Sequence, residues 1–235
     1  MMHSEMDTQK EIDIYVITTG DAQRSKRIEN LLEEIKFNYV YSDSIDDLNF
    51  LAKEHKKKSH KFRQKAIMAG EVGAFKTHAA AWEKIIQSNK PSIIIEDNIH
   101  FIKDPKTLFD QEIINQIENC GLVSFTDFSY KKHPYQPFLI SSIKEKKPLP
   151  IVCYGITPER AFNLVSAMKK TAYVMPVDKW LSIPKLCGCY AFVSHITIAK
   201  RDQSLTSIAN RKKGKKAKNP ICVFYWAVNK IKYRY

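Results

Sequence analysis

The sequence predicts an α/β fold: a mostly parallel central sheet with helices on both faces. Three observations predict it. The runs at residues 12–19 (IDIYVITT) and 93–95 (III) are short and almost wholly apolar, as strands buried on both faces are. Segments of helical period separate such runs. The chain also opens strand–helix–strand, the start of a doubly wound sheet. With 235 residues, 44% of them hydrophobic and 27% charged, the chain can bury a full core without disulfide or metal staples. Seven glycines and ten prolines exclude collagen-like and low-complexity architectures.

The first strand, residues 12–19, ends at Gly20. Asp21 caps the helix that follows, where Ile28, Leu31, Leu32 and Ile35 form one apolar stripe. Residues 37–42 (FNYVYS) are a second strand. Residues 51–65 are polar and very basic, and read as a loop or an exposed helix. A second helix over 72–87 carries the stripe Val72, Phe75, Ala79, Trp82 and Ile86. The strand 93–95 stops abruptly at Glu96-Asp97-Asn98, and the strand 122–125 (LVSF) leads into Thr126 and Asp127. Residues 130–150, rich in Lys and Pro, read as irregular. A short strand at 153–157 precedes a helix opened by Pro158, which runs to about residue 170. Residues 190–199 (YAFVSHITIA) are the final strand, and Asn219-Pro220 starts a short helix in the tail. The expected organisation is a polar extension at 1–11, a domain at 12–209 and a tail at 210–235.

Charge is uneven along the chain. Nine of the 38 basic residues lie in the last 25 positions, which contain no Asp or Glu. The rest holds 29 basic against 25 acidic residues, so the net +13 describes a nearly neutral body with a basic appendage. Phe224, Tyr225, Trp226, Tyr233 and Tyr235 accompany that charge. An anionic membrane surface, nucleic acid and a merely solvated basic end are the three readings of the tail. The first is preferred, because basic residues near an anionic bilayer contribute about 1 kcal/mol each and aromatics anchor at the interface. No nucleic-acid partner is expected: the body is near neutral and carries no recognisable binding motif. Five cysteines without paired CxxC spacing fit a reducing compartment, and the polar, acidic N-terminus is unlike a signal peptide. The longest apolar run, at 221–228, is far shorter than the ~20 residues that span a bilayer. The expected location is the cytoplasm, peripheral on the inner membrane.

Several groups carry possible chemistry. Glu96, Asp97 and Asn98 sit past a strand end, where open α/β sheets bind ligands, and their oxygens suit a hard cation holding a diphosphate. A solvated strand-end turn is the alternative. Arg24 and Arg27, in the first turns of the first helix, are placed to grip phosphate or simply to form a solvated basic face. Gly70 and Gly73 open the second helix, with His78 and Trp82 one turn apart on it as pocket or packing residues.

Together these segments resemble glycosyltransferase family 25. Gly70-Glu71-Val72-Gly73-Ala74-Phe75-Lys76-Thr77-His78 with Trp82 is similar to the family's GE(I/V)GC-x-x-SH-x-x-x-W element, and residues 93–98 (IIIEDN) to its hydrophobic-EDD segment. Residues 14–27 resemble its opening VINL-x-R-x-x-x-R element. Tyr154-Gly155-Ile156-Thr157 with Ala161 and Leu164 resembles its Y-x-I-S-x-x-G-A-x-x-L stretch, and 176–181 (PVDKWL) its PVD-x-x-L. The resemblance spans residues 12–208. It implies a GT-A type nucleotide-sugar-binding fold and inverting transfer of a hexose, galactose from UDP-galactose, onto a lipooligosaccharide or related glycolipid acceptor. It assigns Thr18, Arg24, Arg27, Glu71, His78, Glu96 and Asp97 to the donor. Asp97 and Asn98 are assigned to a Mn²⁺ or Mg²⁺ ion, and Asp178 to the catalytic carboxylate with Asp127 in reserve. Asn98 stands where the family has a last Asp. Thr18-Thr19 replaces Asn-Leu, while Ala74 and Thr77 replace Cys and Ser. Asn98 motivates a second reading, a weakened member acting as a membrane-bound scaffold. Asp178 keeps two other readings, an acceptor-binding group and the cap of a helix begun by Lys179-Trp180-Leu181.

Overall fold

Alternation builds the sheet. In the computed structural model, which describes residues 11–63, 65–128, 136–140, 148–202, 204 and 220–233, β1 (Asp13–Thr18) sends Ile14 and Val16 into one core and Tyr15 and Ile17 into the other. α1 (Ala22–Leu31) follows, and the Asp21 side chain accepts the Arg24 N–H at 3.0 Å as its cap. Ile28 and Leu32 pack from this helix onto the face of Ile14 and Val16. β2 (Asn38–Tyr41) then pairs parallel with β1.

The basic segment after it is helical. α2 (Ile45–Arg63) has Asp46 and Asp47 in its first turn and His60, Lys61 and Arg63 in its last, each sign at the end the helix dipole favours. Leu48 anchors it against Ile67 and Val72. α3 (Ala69–Ser88) buries Phe75, Trp82 and Ile85 over the sheet face of Tyr15 and Ile17. β3 (Ser92–Glu96) pairs parallel with β1, and β4 (Ile99–Phe101) leaves the main sheet. A 3-10 turn (Pro105–Phe109) leads to α4 (Gln111–Cys120), which buries Ile113, Ile114, Ile117 and Cys120 on the face of α1. That stripe marks a helix absent from the sequence reading.

β5 (Leu122–Ser124), β6 (Phe138–Leu139) and β7 (Cys153–Ile156) extend the sheet. β7 lies between β3 and β5, antiparallel to both. Gly155 lets α4 approach it: a Cβ there would stand 2.3 Å from Ile117 Cγ1. α5 (Pro158–Thr171) starts at a Thr157 cap, with Pro158 in its first turn. α6 (Val177–Leu181) and α7 (Pro184–Cys187) complete the layer with α3, where the indoles of Trp82 and Trp180 stack at 6.1 Å.

The single strand expected at 190–199 is two. β8 (Phe192–Val193) runs beside β5, while β9 (Ala199–Arg201) pairs antiparallel with β4 in a separate ribbon. Ser194 breaks the run, because its hydroxyl bonds Gln116 Oε1 at 2.6 Å and accepts the Ile196 N–H at 2.8 Å. The main sheet has the order β2-β1-β3-β7-β5-β8-β6. Five strands point one way, and only β7 and β6 are reversed. Of the segment read as irregular, residues 136–140 and 148–150 are described, and they include the edge strand β6. The extension at 1–10 and tail residues 210–219 lie outside the described residues. α8 (Pro220–Tyr233) starts where Asn219-Pro220 predicts it and packs along α2. Cys120, Cys153, Cys187 and Cys189 are free thiols in the interior. Among the described residues no helix is long and apolar enough to cross a membrane.

Candidate functional site

Because β1 and β3 are parallel neighbours in register, Ile17 against Glu96, their carboxyl ends lie side by side. Asp97 is thereby fixed between them. Its N–H donates to Ile17 O at 2.9 Å, and its Oδ2 accepts the Thr18 hydroxyl at 2.8 Å and, more distantly, the Thr19 N–H at 3.4 Å. Arg24, one turn into α1, reaches Asp97 Oδ1 at 3.3 Å. The carboxylate is buried and held by a hydroxyl and a guanidinium, the pairing a buried charge requires.

Glu96 points the other way. Its Oε1 lies 3.5 Å from His78 Nε2, long for a hydrogen bond, and its Oε2 lies 3.3 Å from Arg201 on β9. His78 is itself oriented from below. Its Nδ1 is 2.9 Å from the Tyr154 hydroxyl, which accepts from Trp82 Nε1 at 2.8 Å. The arrangement that satisfies all three groups has Tyr154 O–H donating to Nδ1, which leaves the proton on Nε2 facing Glu96. Burial of Glu96 favours its neutral form. The hydrogen bond from His78 and the charge of Arg201 outweigh that and hold its pKa below the usual range. Burial raises the Tyr154 hydroxyl far above its ordinary value, so it stays neutral.

Asn98 lies beside Glu96 and adds to the lowering of its pKa, and the Asn98 Oδ1 is buried without a partner. Glu71, in the first turn of α3, takes two bonds from Arg63 of α2 at 3.2 and 2.6 Å and the Met68 N–H at 2.9 Å. Asp178 lies in the first turn of α6, whose cap position is Pro176 rather than Asp178, and it is half-buried with Oδ1 2.7 Å from the Lys179 N–H. Burial raises its pKa above the usual aspartate range. The Lys179 N–H and the Arg201 charge work against that rise, and Glu96 and Glu71 add to it.

Asp97, Arg24, Glu96, His78, Asn98, Glu71, Asp178 and Arg201 open onto one cleft of about 910 Å³, within the size range of small-molecule sites. Its walls are the carboxyl ends of β1 and β3, the first turns of α2 and α3, Asp178 and Arg201. Gly73 lets those helices converge there, since a Cβ on it would stand 2.8 Å from Leu48 Cδ1. A family model of glycosyltransferase family 25, described as LPS biosynthesis proteins, matches residues 11–181. The chain belongs to glycosyltransferase family 25. A search of curated proteins found no match. The sheet with five strands in one direction and helices on both faces is the GT-A type arrangement expected of such a glycosyltransferase.

Of the residues that the resemblance assigns, the cleft of this glycosyltransferase brings together Thr18, Arg24, Glu71, His78, Glu96, Asp97, Asn98 and Asp178. Arg27 and Asp127 are not in its lining. Arg27 braces the turn beneath, donating to Ile99 O at 2.6 Å and pairing with Asp202 at 3.2 Å. Asp127 is exposed, with its N–H bonded to Ala199 O. Arg201 is a charged cleft residue that the sequence does not single out; Ser42, Asp43, Ser44 and Asn49 of the lining are others. Arg201 closes the last β-branched run as Glu96 closes its own, and the reading stopped that run two residues short.

Among the described residues no cluster of three His, Cys, Asp or Glu side chains surrounds a metal position. The donor set still fits a hard cation of the Mg²⁺ type, which takes one or two carboxylates and completes its shell with water and substrate phosphate. Asn98 Oδ1 is a buried cleft oxygen with no donor of its own, and the carboxylates of Glu96 and Asp97 precede it in sequence.

Proposed function

We propose that this protein transfers galactose from UDP-galactose, with inversion, onto a lipooligosaccharide or related surface-glycan acceptor. One observation carries the reading: a single cleft joins cationic groups to a half-buried carboxylate whose pKa burial has raised. Arg24, Arg201 and the amino end of α3 supply positive charge for the donor's diphosphate. Thr18, Arg27 and Asp97 hold the turn that presents Arg24, while Glu71 and His78 keep α3 and Glu96 in place.

Asp178 is the base in this reading. The acceptor hydroxyl oxygen attacks the anomeric carbon as the bond from that carbon to the diphosphate oxygen breaks. The hydroxyl proton passes to the Asp178 carboxylate, and UDP departs with the electron pair. Charge building on the diphosphate is met by the guanidinium groups already in place. Asp97 and Asn98 would hold a Mn²⁺ or Mg²⁺ ion, which supplies further neutralisation of the leaving group when bound.

The test is transfer from UDP-galactose and other UDP-sugars to a soluble glycan acceptor, compared between the native chain and Asp178→Asn. Native turnover should fall about 10²-fold or more in the variant while UDP-galactose affinity is kept. Near-normal turnover in the variant would rule Asp178 out as the base; Asp127, outside the cleft lining, does not replace it. Asn98 favours a second reading, a weakened member acting as a scaffold, because its amide brings no charge to the cation. Absence of both transfer and UDP-sugar hydrolysis in the native chain would select it.

A further inference from the structure

The terminal helix presents an apolar stripe outward. α8 is turned so that Trp226, Asn229 and Tyr233 are half-buried: Tyr233 packs on Phe62 at 5.6 Å, and Asn229 Nδ2 donates to Lys61 O at 3.2 Å. The opposite face carries Phe224, Val228 and Ile231, 65, 42 and 78% exposed, at the i, i+4, i+7 spacing of one helical stripe. Lys232 and Lys230 flank it on either side, and α8 contains no acidic residue. A helix already seated on its own protein has no folding reason to expose a phenylalanine and an isoleucine in line.

We propose that α8, held on α2, is a docking surface for an anionic lipid bilayer, with Phe224, Val228 and Ile231 entering the interface. The charge pattern selects this occupant. Lysines beside an apolar stripe match acidic headgroups above acyl chains. A second copy of the chain would bring two basic tails of +9 each together, and repulsion opposes that. Nucleic acid would use the lysines and leave the aliphatic stripe in water. The neighbouring helix exposes Lys53, Lys56 and Lys57 against one exposed acid between them, Glu54, so that stretch is net basic as well.

The test is co-sedimentation of the full chain with vesicles of phosphatidylcholine alone or mixed with phosphatidylglycerol, at low and high salt. Binding should require phosphatidylglycerol and weaken with salt. Phe224→Gln with Ile231→Gln, both on the exposed face, should lower partitioning about tenfold or more while the circular dichroism and melting curve stay native. A companion Lys230→Gln, Lys232→Gln chain should lose several-fold and show a shallower salt dependence. Equal vesicle binding by the Phe224, Ile231 variant overturns the proposal. So does a dimer that this variant splits without loss of vesicle binding, or salt-sensitive RNA binding in a chain that ignores vesicles. Turnover on a soluble acceptor is read separately, so failure here leaves the transferase reading standing, and the converse holds.

Discussion

Asp178 carries two signatures of one environment. Burial raises its pKa, so the ionised form that a base needs is lost at a higher pH than an ordinary aspartate's ~3.9. Turnover should therefore fall, as pH is lowered, through a limb above that value, and a pH–rate profile of the native chain reads it. The same shift has a stability sign. A carboxyl whose folded pKa lies above its unfolded value contributes fully below the unfolded value, and that contribution is lost as pH rises through the folded one. Asp178→Asn should thus melt no lower than the native chain at neutral pH; a clear drop would show the carboxylate to be structural. Asn98 makes the complementary case. Placing a second carboxylate beside Glu96 adds like-charge repulsion, so Asn98→Asp should melt lower without metal. Mn²⁺ should then raise the variant's melting temperature more than the native chain's. Equal shifts would place Asn98 outside the coordination sphere.

At the scale of elements, β7 is closely approached by α4 at Gly155. Gly155→Ala would drive a methyl group into Ile117 of α4 and cost about 1–3 kcal/mol in denaturant unfolding, leaving cleft residues untouched. An unchanged midpoint would mean that α4 can shift away. The strand was legible from its apolar run; its reversed direction was not, since direction depends on pairing across sequence-distant strands. Asp21 as cap and Pro158 in a first turn were readable because capping is local chemistry. The helical state of residues 45–63 was obscured by lysines, which are compatible with helix and loop alike. The same limit governed the site. Glu96, Asp97 and Asn98 announced themselves as polar residues ending a buried strand. Arg201 reaches them only through the pairing of β9 with β4, a contact about a hundred residues apart.

Across the molecule, the cleft is tied to the core through Glu96. Its lowered pKa gives stability that is present above the ordinary glutamate value of ~4.3 and lost as pH falls through the folded value. Glu96→Gln should cost stability at neutral pH, and the gap to the native chain should close in acid. The cost should stay below the roughly 3–5 kcal/mol of a fully buried pair, because the Arg201 side chain is 40% exposed. A gap that persists in acid would assign the loss to packing rather than charge. α2 joins this centre to the far end of the chain: Ile45 and Leu48 line the cleft, and Lys61 and Phe62 meet α8. Nineteen residues of helix measure about 28 Å. With α8 on a bilayer, the cleft would stand at a fixed offset from the lipid contact, no greater than that length. That offset, as much as the chemistry of the cleft, would then decide which parts of a membrane-borne acceptor can reach the reacting centre.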